Sequence, residues 1–238
     1  MAVCVCPDYL RVDENGHLCV VPGSLGWRQR LIFSTPGTAT FQKATYPWLA
    51  RVFVQVQGAG GGSAGANAAS GQLVARPGGA GGGYSESLLD VASLPAAVTV
   101  TVGAGGLAGG STTAGGKGGD SSFGTLVAAT GGDGGTVFMA SGTTPNSATG
   151  VAGPFAGTGD YRQGGGGGGG AIRLSATEGM AGEGGESRLG HGGFSRGSEG
   201  PGTASRGFGG GAGGALSTGT AQPGFEGGDG IVIVDLYA

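Results

Sequence analysis

Glycine decides what this chain can fold into. It supplies 62 of 238 residues, where an average chain carries about 7%. Glycine inside a helix or a strand forfeits more backbone entropy than any other residue. Residues 164–170 are seven consecutive glycines. Collagen needs glycine strictly at every third position; this run breaks that period, and proline is too scarce, at 10 residues. Residues 139–228 hold only nine Leu, Ile, Val and Phe beside 32 Gly. Such a stretch cannot offset its ordering cost by burying apolar surface of its own. It is either a flexible linker or is ordered by hydrogen bonds between close-packed backbones. A linker has no use for large aromatics, yet Phe155, Tyr161, Phe194, Phe208 and Phe225 recur along it. The pattern favours polyglycine II, extended three-residue-per-turn helices bonded side by side, with partners expected from other copies of the chain.

The flanks read differently. Val52, Val54 and Val56 recur at every second position in 51–57, as do Val98, Val100 and Val102 in 97–102, the period of a half-buried strand. Residues 31–41 surround Pro36–Gly37 and read as a hairpin. Residues 124–130 form a shorter candidate strand, and 230–237 is a β-branched run without helical period. No helical stripe free of Gly or Pro is present. The expected class is all-β, a β-sandwich-like framework closed by the C-terminal strand. Four segments follow: an N-terminal docking segment over 1–30, the β framework with glycine-rich loops over 31–137, a glycine-rich insert or tip over 138–228, and a returning strand over 229–238.

Chemistry is sparse. A net charge of -3 offers no basic excess for phosphates, so nucleic acid is not an expected partner. The longest aliphatic run, Ile231 to Val234, is far short of a membrane span. The first ten residues do not read as a signal peptide, and the odd count of three cysteines (Cys4, Cys6, Cys19) cannot staple the chain. Gly60–Gly65 matches a dinucleotide fingerprint, but no helix or acidic residue follows at the needed distance. Cys4 and Cys6 stand one residue apart, a poor fit to zinc spacing even with His17 and Cys19 nearby. Asp120 and Asp160, each after a glycine, read as turn residues rather than calcium ligands. Two histidines and scattered acids assemble no catalytic set, so the chain is expected to be no enzyme, with no cofactor and no metal. Aromatic and arginine residues on a rigid surface do suit recognition. Tyr161, Arg162, His191, Phe194, Arg196, Arg206 and Phe208 are therefore the receptor-binding candidates, the competing reading being that the aromatics fill gaps in the bundle.

Several strings occur together in one order: 33–62 with its Pro–Gly corner, strand and glycine burst, then 82–86, 98–106, 118–124 and 228–234. Their succession resembles the glycine-rich domains of phage tail-fibre and minor tail proteins, and residues 18–29 resemble minor tail proteins of actinobacterial phages. Residues 136–226 match in composition alone. The resemblance implies a virion tail protein at the tip or in a fibre, assembled in the host cytoplasm. It implies a homotrimer that contacts other tail-tip proteins through the N-terminal segment and a host cell-surface glycan or envelope component through the tip. The rival readings are an ice-binding or a matrix-type glycine-rich structural protein; the first would show regular glycine triplets and disulfides, the second a secretion signal.

Overall fold

The structure is a computed structural model, described over residues 10–21 and 26–238. Cys4 and Cys6, with the rest of residues 1–9, and residues 22–25 of the N-terminal segment lie outside the described residues. Two antiparallel sheets face each other. One has five strands in the order Tyr161–Gln163, Tyr84–Asp90, Arg51–Gln57, Ile231–Tyr237, Trp27–Phe33. The other has four, in the order Val127–Ala129, Ser121–Phe123, Ala97–Val102, Gly37–Gln42. The alternating valines do what their period implies. Val52, Val54 and Val56 meet Val98, Val100 and Val102 across the core, joined by Val232, Val234, Leu236, Phe41 and Phe123, all nearly inaccessible to solvent. Ile231–Tyr237 pairs on both sides, with Arg51–Gln57 and with Trp27–Phe33, so the last strand closes the five-stranded sheet.

One local expectation is corrected. Residues 31–41 are not a hairpin. Leu31 and Phe33 lie opposite Val234 and Val232 in one sheet, whereas Gly37–Gln42 pairs with Ala97–Val102 in the other. The Pro36–Gly37 corner carries the chain between sheets, with Gly37 at φ +131°, where a side chain would strain the backbone. Both flanking segments thereby bury Leu31, Phe33 and Phe41 in the same core. Two strands of a tight hairpin would instead have to lie side by side in a single sheet.

The glycine tracts are ordered, and their partners lie within one chain. Tract 58–66 runs through the middle. Its N–H groups donate in turn to three tracts: Gly58 and Gly61 to Gly83 and Ala80, Ala59 and Gly62 to Gly119 and Gly116, Gly60 and Ser63 to Gly228 and Phe225. Its carbonyls accept from three more: Ala59 and Gly62 from Gly132 and Gly135, Gly60 and Ser63 from Gly106 and Gly109, Gly61 from Ala212. All these bonds are 2.8–3.1 Å long. Direction repeats every third residue, the symmetry of a threefold extended helix with six neighbours. Tract 76–83 donates likewise to 209–212, 166–169 and 130–133, and 209–214 donates to 182–185.

Residues 138–228 therefore do not project as a separate tip. Their tracts 164–170, 181–186 and 209–214 interleave with 58–66 and 76–83, because glycine backbones bond best to other glycine backbones. The need for backbone partners that pointed to other copies is met inside the chain. Close approach explains the composition. A Cβ on Gly60 would overlap the carbonyl oxygen of Gly210, and one on Gly61 that of Asp133. Within 164–170, Gly165 and Gly168 abut the carbonyls of Gly81 and Gly78. Gly167 lies on the looser side, where an added Cβ would stand 2.8 Å from Val151 O.

Sandwich and bundle share an axis. Gln57, Val102 and Ala129 run directly into glycine tracts, and Tyr84, Ser121 and Ile231 are entered from them. At the opposite pole Trp27 lies beside Tyr237. At the far end of the bundle two buried arginines staple the loops through carbonyls: Arg76 donates to Gly65 O (2.9 Å) and Met139 O (2.8 Å), and Arg173 to Thr144 O (2.7 Å), Leu73 O (2.9 Å) and Ala140 O (2.7 Å). Burial lowers the Arg76 pKa, but a guanidinium keeps its charge in proteins.

The packing generates a contrast between two glycines. Gly60→Ala must displace a backbone in the centre of the bundle and is expected to destabilise by several kcal/mol, enough to unfold a domain of ordinary stability. Gly110→Ala meets only Thr113 Oγ1 at 3.4 Å and should change stability by no more than about 1 kcal/mol, with stabilisation the favoured sign. Thermal melts of both variants, with hydrogen exchange across 58–66, test this; equal melting temperatures would refute the packing argument.

Candidate functional site

The seven recognition candidates fall into two places. The first is the waist, where sandwich meets bundle. Tyr161 stands on the edge strand opposite Glu86, half-exposed, with its ring edge-on to Tyr84 at 6.4 Å and 62°. Arg162 is exposed too, but successive strand residues point to opposite faces, so it does not join Tyr161. Tyr84 is buried under the guanidinium of Arg188, 5.9 Å from its ring centre. Arg188 belongs to the turn that carries His191, whose Nδ1 lies 2.9 Å from Glu186 Oε2 in an exposed pair. His191 lies opposite Arg206 in a two-residue ladder. Phe208 is half-buried and pins this turn: its N–H donates to Leu189 O (3.2 Å) and its carbonyl accepts from Ser187 Oγ (2.6 Å).

The second place is the far end of the bundle. Phe194 is 57% exposed, with the Arg196 guanidinium 5.8 Å from its ring centre. Thr203 Oγ1 donates to Phe194 O and Ala181 N–H to Arg196 O, which fixes the backbone beneath the pair. Ile172 and Met180, opposite one another on a small sheet, are exposed as well, as are Phe138 and Leu174. Phe194 and Arg196 thus form one presented pair, and Tyr161, His191, Arg206 and Phe208 surround another region.

The sequence did not single out Tyr84, Glu86 and Gln55. The Tyr84 hydroxyl donates to Glu86 Oε2 (2.5 Å) and accepts from Gln55 Nε2 (2.8 Å). Burial, then the bond to Glu86, pushes the Tyr84 phenol well above its ordinary pKa, so it stays protonated and the relay keeps its direction. The only available signal was the i, i+2 spacing of Tyr84 and Glu86, which places both on one strand face.

The outward face of the same sheet holds a buried carboxylate. Asp235 accepts from Arg30 Nε and Nη2 (2.7 Å each) and from Trp27 Nε1 (2.9 Å). The Arg30 hydrogen bonds hold the Asp235 carboxyl below the usual carboxylate range, against the opposing cost of burial.

A family profile described as a glycine-rich domain matches residues 35–237. The chain belongs to this glycine-rich domain family. No curated protein matches it. The match begins within the Pro36–Gly37 corner and ends in the closing strand, so the glycine-rich domain comprises sandwich and bundle together, without the Trp27–Phe33 strand that flanks its last element.

Because the folded pKa of Asp235 is depressed, its ionisation stabilises the domain above the unfolded value of about 4, and that contribution is lost as pH falls through the folded value. Asp235→Asn is expected to lower the melting temperature at neutral pH and to flatten the acid limb of the curve. Melts of both proteins from neutral to strongly acidic pH should narrow towards each other; a constant gap would contradict the assignment.

Proposed function

We propose that this glycine-rich domain is a structural and adhesive part of a phage virion tail, at the tip or in a fibre, without enzymatic activity. The layout of the molecule carries the reading. The strands Trp27–Phe33 and Ile231–Tyr237 meet at one pole, and the loops of the glycine bundle are held at the other. A module mounted by its sandwich presents those loops outward on a stiff support. Phe194 with Arg196 is a pair of the kind that dominates recognition, standing on backbone fixed by lateral hydrogen bonds. The ordered strings of the sequence, which resemble phage tail-fibre and minor tail domains, supply the setting. In that setting the partners are a host cell-surface glycan or envelope component and other tail-tip proteins, and the assembly is a homotrimer on the virion tail.

Antibody labelling of purified virions in negative stain places the chain: signal at the tail end is expected, and its absence from virions would end the reading. Excess purified domain should slow phage adsorption, and the double variant Phe194→Ala, Arg196→Ala should compete about tenfold less well while melting as the wild type does. Sedimentation at micromolar concentration tests the trimer, which a folded monomer would overturn.

A further inference from the structure

The outward face of the five-stranded sheet has the wrong composition for a solvated surface. One face of such an antiparallel sheet packs on the core and the other normally carries polar residues. Here Trp27, Ile32, Phe53, Leu88, Ile233 and Tyr237 share the outward face by register. Trp27, Ile32 and Leu88 are 57%, 60% and 52% exposed. A depression of about 380 Å³ lies among Arg51, Phe53, Leu88 and Tyr237.

Immediately beside this apolar floor, two residues along the strands, comes a row of fixed polar groups. Gln55, Glu86 and Tyr161 are cross-strand neighbours. The Tyr84 phenol occupies one oxygen of Glu86 and the amide nitrogen of Gln55. That leaves Oε1 of Glu86 and Oε1 of Gln55 as oriented acceptors with no partner among the described residues. The exposed ring of Tyr161 stands at the end of the row. Beyond it the trough is closed by the 187–189 turn, where Leu189 N–H donates to Gln57 Oε1 (3.3 Å). From Arg51 to Gln55 the trough runs roughly 13 Å along the strand, the length of a short oligosaccharide.

We infer that this trough is a saccharide-binding site for an uncharged oligosaccharide. Pyranose rings present an apolar C–H face and a rim of hydroxyl donors. The rings of Phe53 and Tyr161 and the aliphatic Leu88 offer apolar surface to the first, and the held carboxylate and amide oxygens accept from the second. The balance of charge disfavours an anion: the Arg30 guanidinium is engaged by Asp235, that of Arg188 lies over the Tyr84 ring, Arg51 in the floor stands opposite Asp90 on the neighbouring strand, and Glu86 contributes further negative charge. A few convergent polar groups beside an apolar floor are the usual make-up of a small-molecule site. The relay through Tyr84 orients the acceptors before ligand arrives, which reduces the ordering cost of binding. The assignment deepens the attachment reading and rests on it for the source of the sugar; the site is distinct from the Phe194–Arg196 pair at the far pole.

Saturation-transfer NMR on the intact protein, with neutral trisaccharides of glucose, galactose and mannose as probes, tests it. Transfer to ring protons of at least one sugar is expected. Tyr161→Ala and Glu86→Gln should each weaken that binding by about tenfold or more, while Phe194→Ala leaves it unchanged. Unaltered hydrogen exchange in Arg51–Gln57 will confirm that both variants remain folded. No transfer from any probe at millimolar sugar would overturn the site. So would concentration-dependent self-association abolished by Leu88→Asp, since the face would then be a contact between copies of the chain. Sugar binding without virion labelling would leave this site standing and end the attachment reading; labelled virions without sugar binding would do the reverse.

Discussion

The structure depends on backbones approaching so closely that no Cβ fits between them. At Gly60, Gly61, Gly168 and Gly211 an added methyl would overlap a carbonyl oxygen of the next tract. The distance that excludes the side chain is the distance that permits a straight N–H to C=O bond in three directions around each tract. Each such bond contributes a net of about 1 kcal/mol, and fixing each residue costs about 1–2 kcal/mol. Hydrogen bonding alone therefore does not hold the bundle. Close-packed backbones add dispersion contacts on every side, and the interior tracts gain most, because a tract such as 58–66 has neighbours all round.

The remaining cost is reduced by tethering. Several tracts start or end at a strand already fixed by the apolar core: Val56 precedes 58–66, Val102 precedes 103–109, Ala129 precedes 130–135, and 222–230 delivers the chain to Val232. Strand spacing and register thus hold the tract ends near their bonding positions before any lateral bond forms, which lowers the entropy lost on pairing. At the far end Arg76 and Arg173 act in the same sense. Each guanidinium gathers carbonyls from segments remote in sequence, and because those acceptors are neutral dipoles the arginines are solvated by the loops themselves. Removing one would leave several buried carbonyls unpaired, a larger penalty than the loss of any single bond.

What was legible in the sequence followed from side chains. The valine alternations at 52–56 and 98–102 identified core faces, and the β-branched end identified the closing strand, because a period of two leaves little freedom about which face is buried. The Pro36–Gly37 corner misled, since alternation fixes a face and says nothing about which strand lies alongside. Glycine composition pointed to lateral backbone packing but not to the partners, because a residue without a side chain carries no mark of its neighbour. Hence 138–228 looked like an insert apart, although Gly185, Gly211 and Gly214 bond into the same lattice as Gly61 and Gly79. Among the recognition residues, the Phe194–Arg196 pairing was readable from its spacing. The meeting of Tyr161 with Tyr84, and the Gln55–Tyr84–Glu86 relay, depend on the register of three strands distant in the chain.

A lattice of this kind separates folding from display. In an ordinary core, side-chain shape specifies the packing, so residues near the core are constrained by volume. Here tract interiors are constrained almost absolutely at glycine, while the loops joining them need only span neighbouring tracts. Phe138, Leu174 and Phe194 are exposed and contribute little to the three buried clusters, so their identities are free to vary with what the surface contacts. The waist differs. Tyr84 is both buried and part of the relay, and Phe208 holds the turn that covers it, so recognition there is tied to the junction between sandwich and bundle. In the proposed attachment role, substitutions at the far pole and at exposed waist side chains such as Tyr161 alter binding alone, whereas those of the buried Tyr84 alter binding and fold together, so the two classes of position are free to change at different rates.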